Sequence, residues 1–193
     1  ALAALHAAGT PVLDLTESNP TRVGLACDGA VLAALGDPAG RHYAPEPLGL
    51  ATARAAVADD AAIRGAGVDP AHVVLTASSS ESYSWLFKLW CDPGDRVLVP
   101  QPSYPLFDHL ARLDGVTVVP YHLDFHGRWD VDLASVERGL QAGARLVVAV
   151  SPNNPTGSCL TASEADALIA LTARHGAALV VDEVFADYAL DRR

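Results

Sequence analysis

Asp182 stands where a carboxylate can do chemistry, at the predicted end of an apolar β-strand. It directly follows the run Leu179-Val-Val181. A carboxylate is costly to bury at such a place unless a cation or hydrogen-bond donors meet it. The single lysine of the chain, Lys88, is distant in sequence. We therefore predict that a positively charged nitrogen of a ligand pairs with Asp182.

A second candidate group is the segment Ser151-Pro-Asn-Asn-Pro-Thr-Gly157, which follows another predicted strand. Its prolines restrict the backbone around two asparagines, so an amide side chain can be held in one orientation, as recognition of one particular oxygen requires. Asn, Pro and Gly are also the ordinary residues of turns, and a purely structural turn is the alternative. We favour the functional interpretation.

A third group is the hydroxyl-rich segment Thr76-Ala-Ser-Ser-Ser-Glu81, which is expected to open a helix. Hydroxyls and free N–H groups at a helix N-terminus can bind a phosphate, and the helix dipole favours the negative charge. However, Ser78 and Glu81 also have the spacing of a capping box, which would satisfy the helix end without a ligand. Both interpretations are open on this segment alone.

Tyr104 lies between two prolines in the segment Pro100-Gln-Pro-Ser-Tyr-Pro105. The prolines restrict the backbone on both sides of the tyrosine and could hold its ring as a flat platform at the sheet edge. A tyrosine at the start of a helix can also serve packing alone. On this segment alone packing is the more common role, and a stacking role for Tyr104 is the alternative.

Elements that could position these residues alternate regularly from residue 73 onward. The predicted strands are Val73–Thr76, Arg96–Val99, Thr117–Tyr121, Leu146–Val150 and Ala178–Val181, and the predicted helices are Glu81–Cys91, Tyr104–Leu113, Leu133–Gln141 and Ser163–His175. This alternation predicts a three-layer α/β/α fold with a mostly parallel sheet. Ligands in such sheets bind beyond the carboxyl ends of the strands. The candidate groups are therefore expected at one edge of the sheet.

Residues 1–72 differ in character from the rest of the chain. They contain a Pro/Gly/Asn-rich stretch, Thr16–Gly24, and an Ala-rich helical segment, Gly49–Arg64, but no convincing strand. We expect an arm followed by a long helix that packs on the α/β unit.

Composition argues against several classes of partner. The 193-residue chain has a formal net charge of −10 and scattered arginines, whereas nucleic-acid backbones are bound by clustered Lys and Arg. No apolar run reaches the roughly 18 residues that span a bilayer. The three cysteines lack metal-ligand spacing, and His122 and His126 fall on a strand-to-turn segment rather than a helix face. We predict a cytoplasmic protein with no nucleic-acid, membrane or metal partner.

Taken together, these segments resemble the class I/II aminotransferases, which are fold type I pyridoxal-phosphate (PLP) enzymes. The resemblance is carried by Glu17-Ser-Asn-Pro-Thr21, Tyr43-Ala-Pro-Glu-Pro-Leu-Gly49, the serine segment, Pro102-Ser-Tyr-Pro105, Asn154-Pro-Thr-Gly157 and Asp182-Glu-Val-Phe185. It implies an arm and part of a small domain at residues 1–45 and a truncated PLP-binding large domain at residues 46–193. It also implies a homodimer with shared sites.

The resemblance assigns roles around the cofactor ring. Asn154 would hydrogen-bond the ring hydroxyl oxygen. Asp182 would pair with the protonated pyridine nitrogen, which keeps the ring cationic so that it accepts electrons from the substrate α-carbon. Tyr104 would stack on one ring face, and Val184 would pack on the other. Asp182 and Tyr104 are the predicted catalytic residues.

Other roles follow at the phosphate and substrate ends. Ser78, Ser79 and Ser80 would receive the phosphate. Tyr43 would reach the phosphate of the neighbouring subunit's cofactor, and Asn19 would lie where the arm covers the substrate.

Two departures from the family pattern stand out. Phe185 occupies a position where the family usually has tyrosine, and phenylalanine cannot donate a hydrogen bond to the ring oxygen. The family's Schiff-base lysine and its carboxylate-binding arginine are expected beyond Arg193, as is the strand that pairs with the first one. Lys88 is on the wrong element to replace that lysine. We expect the 193 residues alone to be an inactive N-terminal portion.

Three functions fit these residues. The first is transfer of an amino group from an amino acid to a 2-oxo acid. The second is a PLP-dependent lyase or decarboxylase reaction on the same fold, since the groups that choose between these outcomes are not identified in the sequence. The third is a non-catalytic aminotransferase-like domain that binds an effector.

Overall fold

The computed structural model describes residues 2–13 and 19–188, which fall into two units divided after Pro70. The first unit contains α1 (Leu2–Ala7), α2 (Gly29–Ala34) and α3 (Ala51–Ile63), with 3-10 turns at Pro20–Val23 and Pro38–Arg41. No strand occurs among its described residues, and α3 confirms the helix predicted at Gly49–Arg64. Residues 1 and 14–18 of the predicted arm lie outside the described residues. The domain boundary predicted after residue 45 stays a prediction.

Helix α3 is fixed at its start by side chains rather than by a capping residue. The Glu46 Oε2 atom accepts a hydrogen bond from the Ala51 N–H at 2.9 Å. Arg54 donates to the Gly49 carbonyl at 3.0 Å and to the Pro70 carbonyl at 2.8 Å. The arginine therefore joins the beginning of α3 to the end of the first unit.

The second unit is built on a five-stranded sheet. The strands are β1 (Arg96–Gln101), β2 (Thr117–Phe125), β3 (Trp129–Val131), β4 (Ala144–Val150) and β5 (Ala178–Asp182), in the order β3-β2-β1-β4-β5. All neighbours pair in parallel except β2 and β3, which form an antiparallel hairpin. The predicted, mostly parallel sheet is confirmed.

Helices cover both faces of this sheet, which gives the three-layer α/β/α fold. They are α4 (Ser79–Trp90), α5 (Leu106–Leu113), α6 (Leu133–Gln141) and α7 (Ala162–His175), with 3-10 turns at Pro70–His72 and Ala186–Tyr188. Helices α4 and α5 pack on one face, against Val97 and Val99. Helices α6 and α7 pack on the other face, against Leu98. Alternate side chains of β1 therefore pack into two separate hydrophobic cores, one on each face of the sheet.

Local sequence explains several helix boundaries. Thr161 and Glu164 form a capping box at the start of α7, and Gly176 ends that helix with a positive φ of 64°, a conformation that glycine adopts without steric cost. Helix α6 approaches β1 closely at Gly139, where a Cβ atom would lie 2.5 Å from the Leu98 Cδ2 atom. Every helix in the described residues is too short or too polar to cross a bilayer.

Two predictions about elements were wrong. Val73–Thr76 is not a strand, because a β-strand requires a neighbouring strand to share hydrogen bonds and none of the described strands pairs with it. Helix α5 begins at Leu106 rather than at Tyr104, because a residue that precedes a proline is disfavoured in helical conformation. The short strand β3 was not predicted.

Candidate active site

The candidate site lies at the carboxyl ends of β1, β4 and β5, as the motif positions predict. Strand β1 leads into α5 on one face of the sheet, whereas the adjacent β4 leads into α7 on the opposite face. The two connections therefore diverge to opposite faces of the sheet. Such a switch point is where open α/β sheets bind ligands.

Asp182 is the last residue of β5, and its half-buried carboxylate is held by two neutral donors. The Tyr83 hydroxyl donates to Oδ2 at 2.6 Å, and the Val184 N–H donates to Oδ1 at 2.9 Å. The Asp182 carbonyl accepts from the Ser151 N–H at 2.9 Å, which joins β5 to the loop after β4. Within the described part of the chain, the carboxylate has no cationic partner. Its negative charge is thus available to a ligand.

Tyr83, the donor to Asp182, is a buried residue of α4 that belongs to none of the sequence motifs. Its ring packs edge-on against Phe107, with ring centroids 5.2 Å apart. Burial raises the pKa of Tyr83, and the hydrogen bond and negative charge of Asp182 raise it further. Tyr83 therefore remains a protonated donor at all physiological pH values.

We expect the free energy of unfolding to fall as the pH rises above about 10, the ordinary pKa of tyrosine. Burial raises the pKa values of both Tyr83 and Tyr121 in the folded state. Below the ordinary value both states hold these protons, but above it the unfolded chain loses them first, so the stabilisation is lost with rising pH. In Tyr121→Phe, the free energy of unfolding measured in urea should fall less steeply with pH in the alkaline range than in the unaltered protein. The slopes should differ by at most about 1.4 kcal/mol per pH unit.

The control for this pH dependence is Tyr188→Phe, which removes a tyrosine that is 65% exposed. This substitution removes no buried phenol, so the slope of the free energy of unfolding against pH should match that of the unaltered protein. Equal slopes for Tyr121→Phe and Tyr188→Phe would contradict the assignment of the alkaline loss of stability to the buried tyrosines.

The serine segment opens α4, one helical turn before Tyr83. The Ser78 Oγ atom accepts from the Glu81 N–H at 3.4 Å, so Ser78 caps the helix and one half of the predicted capping box forms. Glu81 accepts from the Ala77 N–H at 2.6 Å. In contrast, the hydroxyls of Ser79 and Ser80 form no hydrogen bond with any residue that the structure describes. These two hydroxyls are free to bind a phosphate.

The two adjacent asparagines after β4 have different environments. Asn153 is 3% exposed and joins two loops: its Oδ1 accepts from the Ser103 hydroxyl at 2.9 Å, and its Nδ2 donates to the Pro102 carbonyl at 3.0 Å and to the Thr156 hydroxyl at 2.8 Å. The half-buried side chain of Asn154 has no hydrogen-bond partner among residues 2–13 and 19–188. Asn153 thus has a structural role, and the Asn154 side chain is available to bind a ligand.

Tyr104 lies in the loop after β1 and is 50% exposed. It lines an open cleft of about 370 Å³ whose walls come from β1, β2 and the start of α5. Asp182 and Asn154 do not line this cleft. The loop of Tyr104 and the loop of Asn154 are joined instead by the Ser103–Asn153 hydrogen bond. Ser103 directly precedes Tyr104, and Asn153 directly precedes Asn154.

Two predicted site residues belong to the first unit. Tyr43 is 93% exposed and precedes α3. Asn19 caps the 3-10 turn Pro20–Val23, and its Oδ1 accepts from the Thr21 N–H at 3.0 Å and the Thr21 hydroxyl at 2.7 Å. Their roles toward a ligand stay predictions.

Comparison with known proteins identifies the family. The model of aminotransferase class I and II matches residues 10–192. The chain belongs to this family. Histidinol-phosphate aminotransferase 2 from Caulobacter vibrioides is 32% identical over 163 residues, which are 82% of this chain and 39% of that protein. The aminotransferase-family chain thus spans about two fifths of the length of this relative.

Solved structures share the fold of this aminotransferase-family chain. Alanine aminotransferase from Pyrococcus furiosus matches with a TM-score of 0.80 and 24% identity, over 95% of this chain and 47% of its own. The PLP-bound C–S lyase from Staphylococcus hominis matches with a TM-score of 0.71 and 21% identity, over 79% of this chain and 41% of its own.

Lys88, the single lysine of this family member, lies at the other end of α4 from the serines. Its Nζ donates to the Ser84 hydroxyl at 2.5 Å and forms an ion pair with Asp114, which directly follows α5. The turn around Asp114 bonds to the start of β1, as in the hydrogen bond from the Gly94 N–H to the Gly115 carbonyl at 2.8 Å. Lys88 therefore lies at the amino ends of the strands, opposite to Asp182.

The residues after Asp182 are exposed. Val184 is 58% exposed, although its N–H is bound to Asp182. Phe185 packs against Tyr188, with ring centroids 6.2 Å apart. The Val184 side chain is accessible to a ligand.

Proposed function

We propose that the complete protein is a PLP-dependent aminotransferase that moves an amino group from an amino acid to a 2-oxo acid. The observation that carries this proposal is the half-buried Asp182 carboxylate, whose partners among residues 2–13 and 19–188 are the neutral donors Tyr83 and Val184 N–H. A carboxylate in that setting gains most from a cationic ligand atom. The family of the chain supports the same function.

The chemistry of the available groups fits PLP. The ligand needs an anionic acceptor for a protonated ring nitrogen, an amide for a ring oxygen and a phosphate site. Among the residues that the structure describes, Asp182 is an acceptor without a cationic partner, and the Asn154 amide and the Ser79 and Ser80 hydroxyls form no hydrogen bond. The two serines lie at a helix N-terminus, where anions are favoured.

When bound, PLP supplies a conjugated ring that accepts the electrons released at the substrate α-carbon. In this proposal Asp182 holds a proton on the ring nitrogen through a charge-assisted hydrogen bond of about 1.5–3 kcal/mol. Asn154 donates its amide to the ring oxygen and thereby orients the ring. Tyr104 stacks on one ring face, and the exposed Val184 side chain packs on the other.

The phosphate end is assigned to the N-terminus of α4. Ser79 and Ser80 donate their hydroxyls to the phosphate, and Ser78 contributes by capping the helix that presents them. The exposed ring of Tyr43 is proposed to reach the phosphate in a second subunit, so that the active unit is a homodimer. Asn19 is proposed to lie over the substrate, and the cytoplasm is the proposed location.

A lyase is the second candidate, because the fold of the chain is shared with a C–S lyase as well as with aminotransferases. Both reactions require a cationic ring and the same groups around it. They differ in the bond that breaks at the substrate.

Product analysis of the complete protein tests the proposal. It should be loaded with PLP and incubated with a panel of amino acids and 2-oxoglutarate. A keto acid together with glutamate, in equal amounts, is expected. Ammonia or carbon dioxide without glutamate would favour the lyase or decarboxylase, and PLP binding without any product would favour a non-catalytic effector-binding domain.

A further inference from the structure

The Tyr83–Asp182 hydrogen bond joins two elements that are 99 residues apart in sequence. Tyr83 is 6% exposed, and its ring is fixed by an edge-on contact with Phe107 and a tilted contact with Phe87 at a centroid distance of 6.1 Å. The ring cannot turn without disturbing the core between α4, α5 and the sheet. Its hydroxyl therefore presents a hydrogen-bond donor at a fixed point.

Each oxygen of the Asp182 carboxylate is held by a different part of the fold. Tyr83 on α4 holds Oδ2, and the backbone after β5 holds Oδ1 through the Val184 N–H. Both donors are neutral, so they restrict the rotation of the carboxylate without cancelling its charge. An arginine at the position of Tyr83 would orient the side chain equally well but would neutralise it.

Helix α4 also carries the free serine hydroxyls. Ser79 and Tyr83 are four residues apart, so their side chains lie on the same side of the helix. One rigid helix thus presents both the proposed phosphate donors and the group that orients Asp182.

We propose that Tyr83 is a positioning residue that fixes the Asp182 carboxylate so that it can pair with a protonated ring nitrogen. Ser79 and Ser80, on the same helix, would then bind the phosphate of the same cofactor. This inference rests on the proposed function, because it concerns the ring of the same cofactor. Tyr83 does not touch the cofactor in this proposal and acts only through Asp182.

The test compares binding of PLP with binding of its 1-deaza analogue, in which a C–H group replaces the ring nitrogen. The ratio of the two dissociation constants reports the interaction of Asp182 with the ring nitrogen, independently of catalysis. We expect Tyr83→Phe to reduce this preference for PLP by about tenfold, the usual effect of one hydrogen bond to a charged group. Binding of the deaza analogue should change little.

Tyr121→Phe is the matched control. Tyr121 is also buried, and its hydroxyl donates to the Val148 carbonyl at 3.1 Å, away from Asp182. This variant should retain the full preference for PLP. A loss of preference in both variants would indicate a general effect of a lost buried hydroxyl and would overturn the proposal.

A double variant separates positioning from other effects. In the Asp182→Asn background, Tyr83→Phe should not lower the preference further, because the charge that Tyr83 orients has been removed. If the unaltered protein and Tyr83→Phe show the same preference for PLP over the deaza analogue, the role of Tyr83 is overturned but the proposed function is not. Failure of the unaltered protein to bind either compound overturns the proposed function and this inference with it.

A measurement on the unaltered, cofactor-free protein covers the case in which Tyr83→Phe does not fold. NMR should show a slowly exchanging hydroxyl proton on Tyr83, as expected for a buried phenol bound to a carboxylate. The absence of this signal would overturn the proposal without any variant.

Discussion

Replacement of Asp182 by asparagine is expected to weaken PLP binding to the complete protein by about 10- to 100-fold. The amide has the shape of the carboxylate but no charge, and a charge-assisted hydrogen bond to the ring nitrogen is worth about 1.5–3 kcal/mol. The fold should persist, because an amide oxygen can still accept from Tyr83 or from the Val184 N–H. Equilibrium dialysis with PLP measures the loss, and the rate of amino transfer should fall at least as much.

Asp114→Asn is the matched control for this substitution. The Asp114 side chain is 7% exposed, and it too accepts a hydrogen bond from a hydroxyl on α4, that of Ser84 at 3.0 Å. However, it lies at the amino ends of the strands and is paired with Lys88. Asp114→Asn should leave PLP binding unchanged. If both substitutions reduce it alike, the charge of Asp182 has no specific role.

Replacement of Asn153 by alanine is expected to lower the free energy of unfolding by about 2–4 kcal/mol. The substitution removes three hydrogen bonds of a side chain that is 3% exposed, and each buried polar group left without a partner costs about 1–3 kcal/mol. The remaining carbonyl of Pro102 and the hydroxyls of Ser103 and Thr156 can recover part of this loss through water or one another. Chemical denaturation measures the change.

The loss of Asn153 should also affect the site, because its side chain joins the loop of Tyr104 to the loop of Asn154. We expect weaker PLP binding in Asn153→Ala even under conditions in which the variant is fully folded. Ser103→Ala is the graded control, since it removes one of the three hydrogen bonds and should cost about 1 kcal/mol. A larger effect of Ser103→Ala than of Asn153→Ala would contradict the assignment of Asn153 as the central residue.

The two adjacent asparagines show a limit of prediction from sequence. Both stand between prolines in Ser151-Pro-Asn-Asn-Pro-Thr-Gly157, and no local pattern distinguishes them. The resemblance to a family selected Asn154, but the role of Asn153 depends on Pro102 and Ser103, about 50 residues earlier in the chain. Such a contact exists only once β1 and β4 are neighbours in the sheet.

Strand prediction shows the same dependence on partners. The apolar runs of β1, β4 and β5 were recognised because strands that are covered on both faces are apolar throughout. Val73–Thr76 has a similar composition but forms no strand, since no described strand offers it hydrogen bonds. The hairpin strand β3 has three residues, which is too short to give a periodic signal.

The sequence by itself determined the α/β class, the alternation of β1, β2, β4 and β5 with helices, and the placement of Asp182, Asn154, Tyr104 and the serines at the carboxyl ends of strands or at a helix start. These properties follow from local periodicity and from residue types next to one another in the chain. Only the tertiary structure decided that Tyr83 holds Asp182, that Asn153 joins two loops and that Lys88 lies at the opposite end of the sheet. Each of these depends on which side chains meet when distant segments pack, and hydrogen bonds between distant residues leave no periodic trace in the sequence.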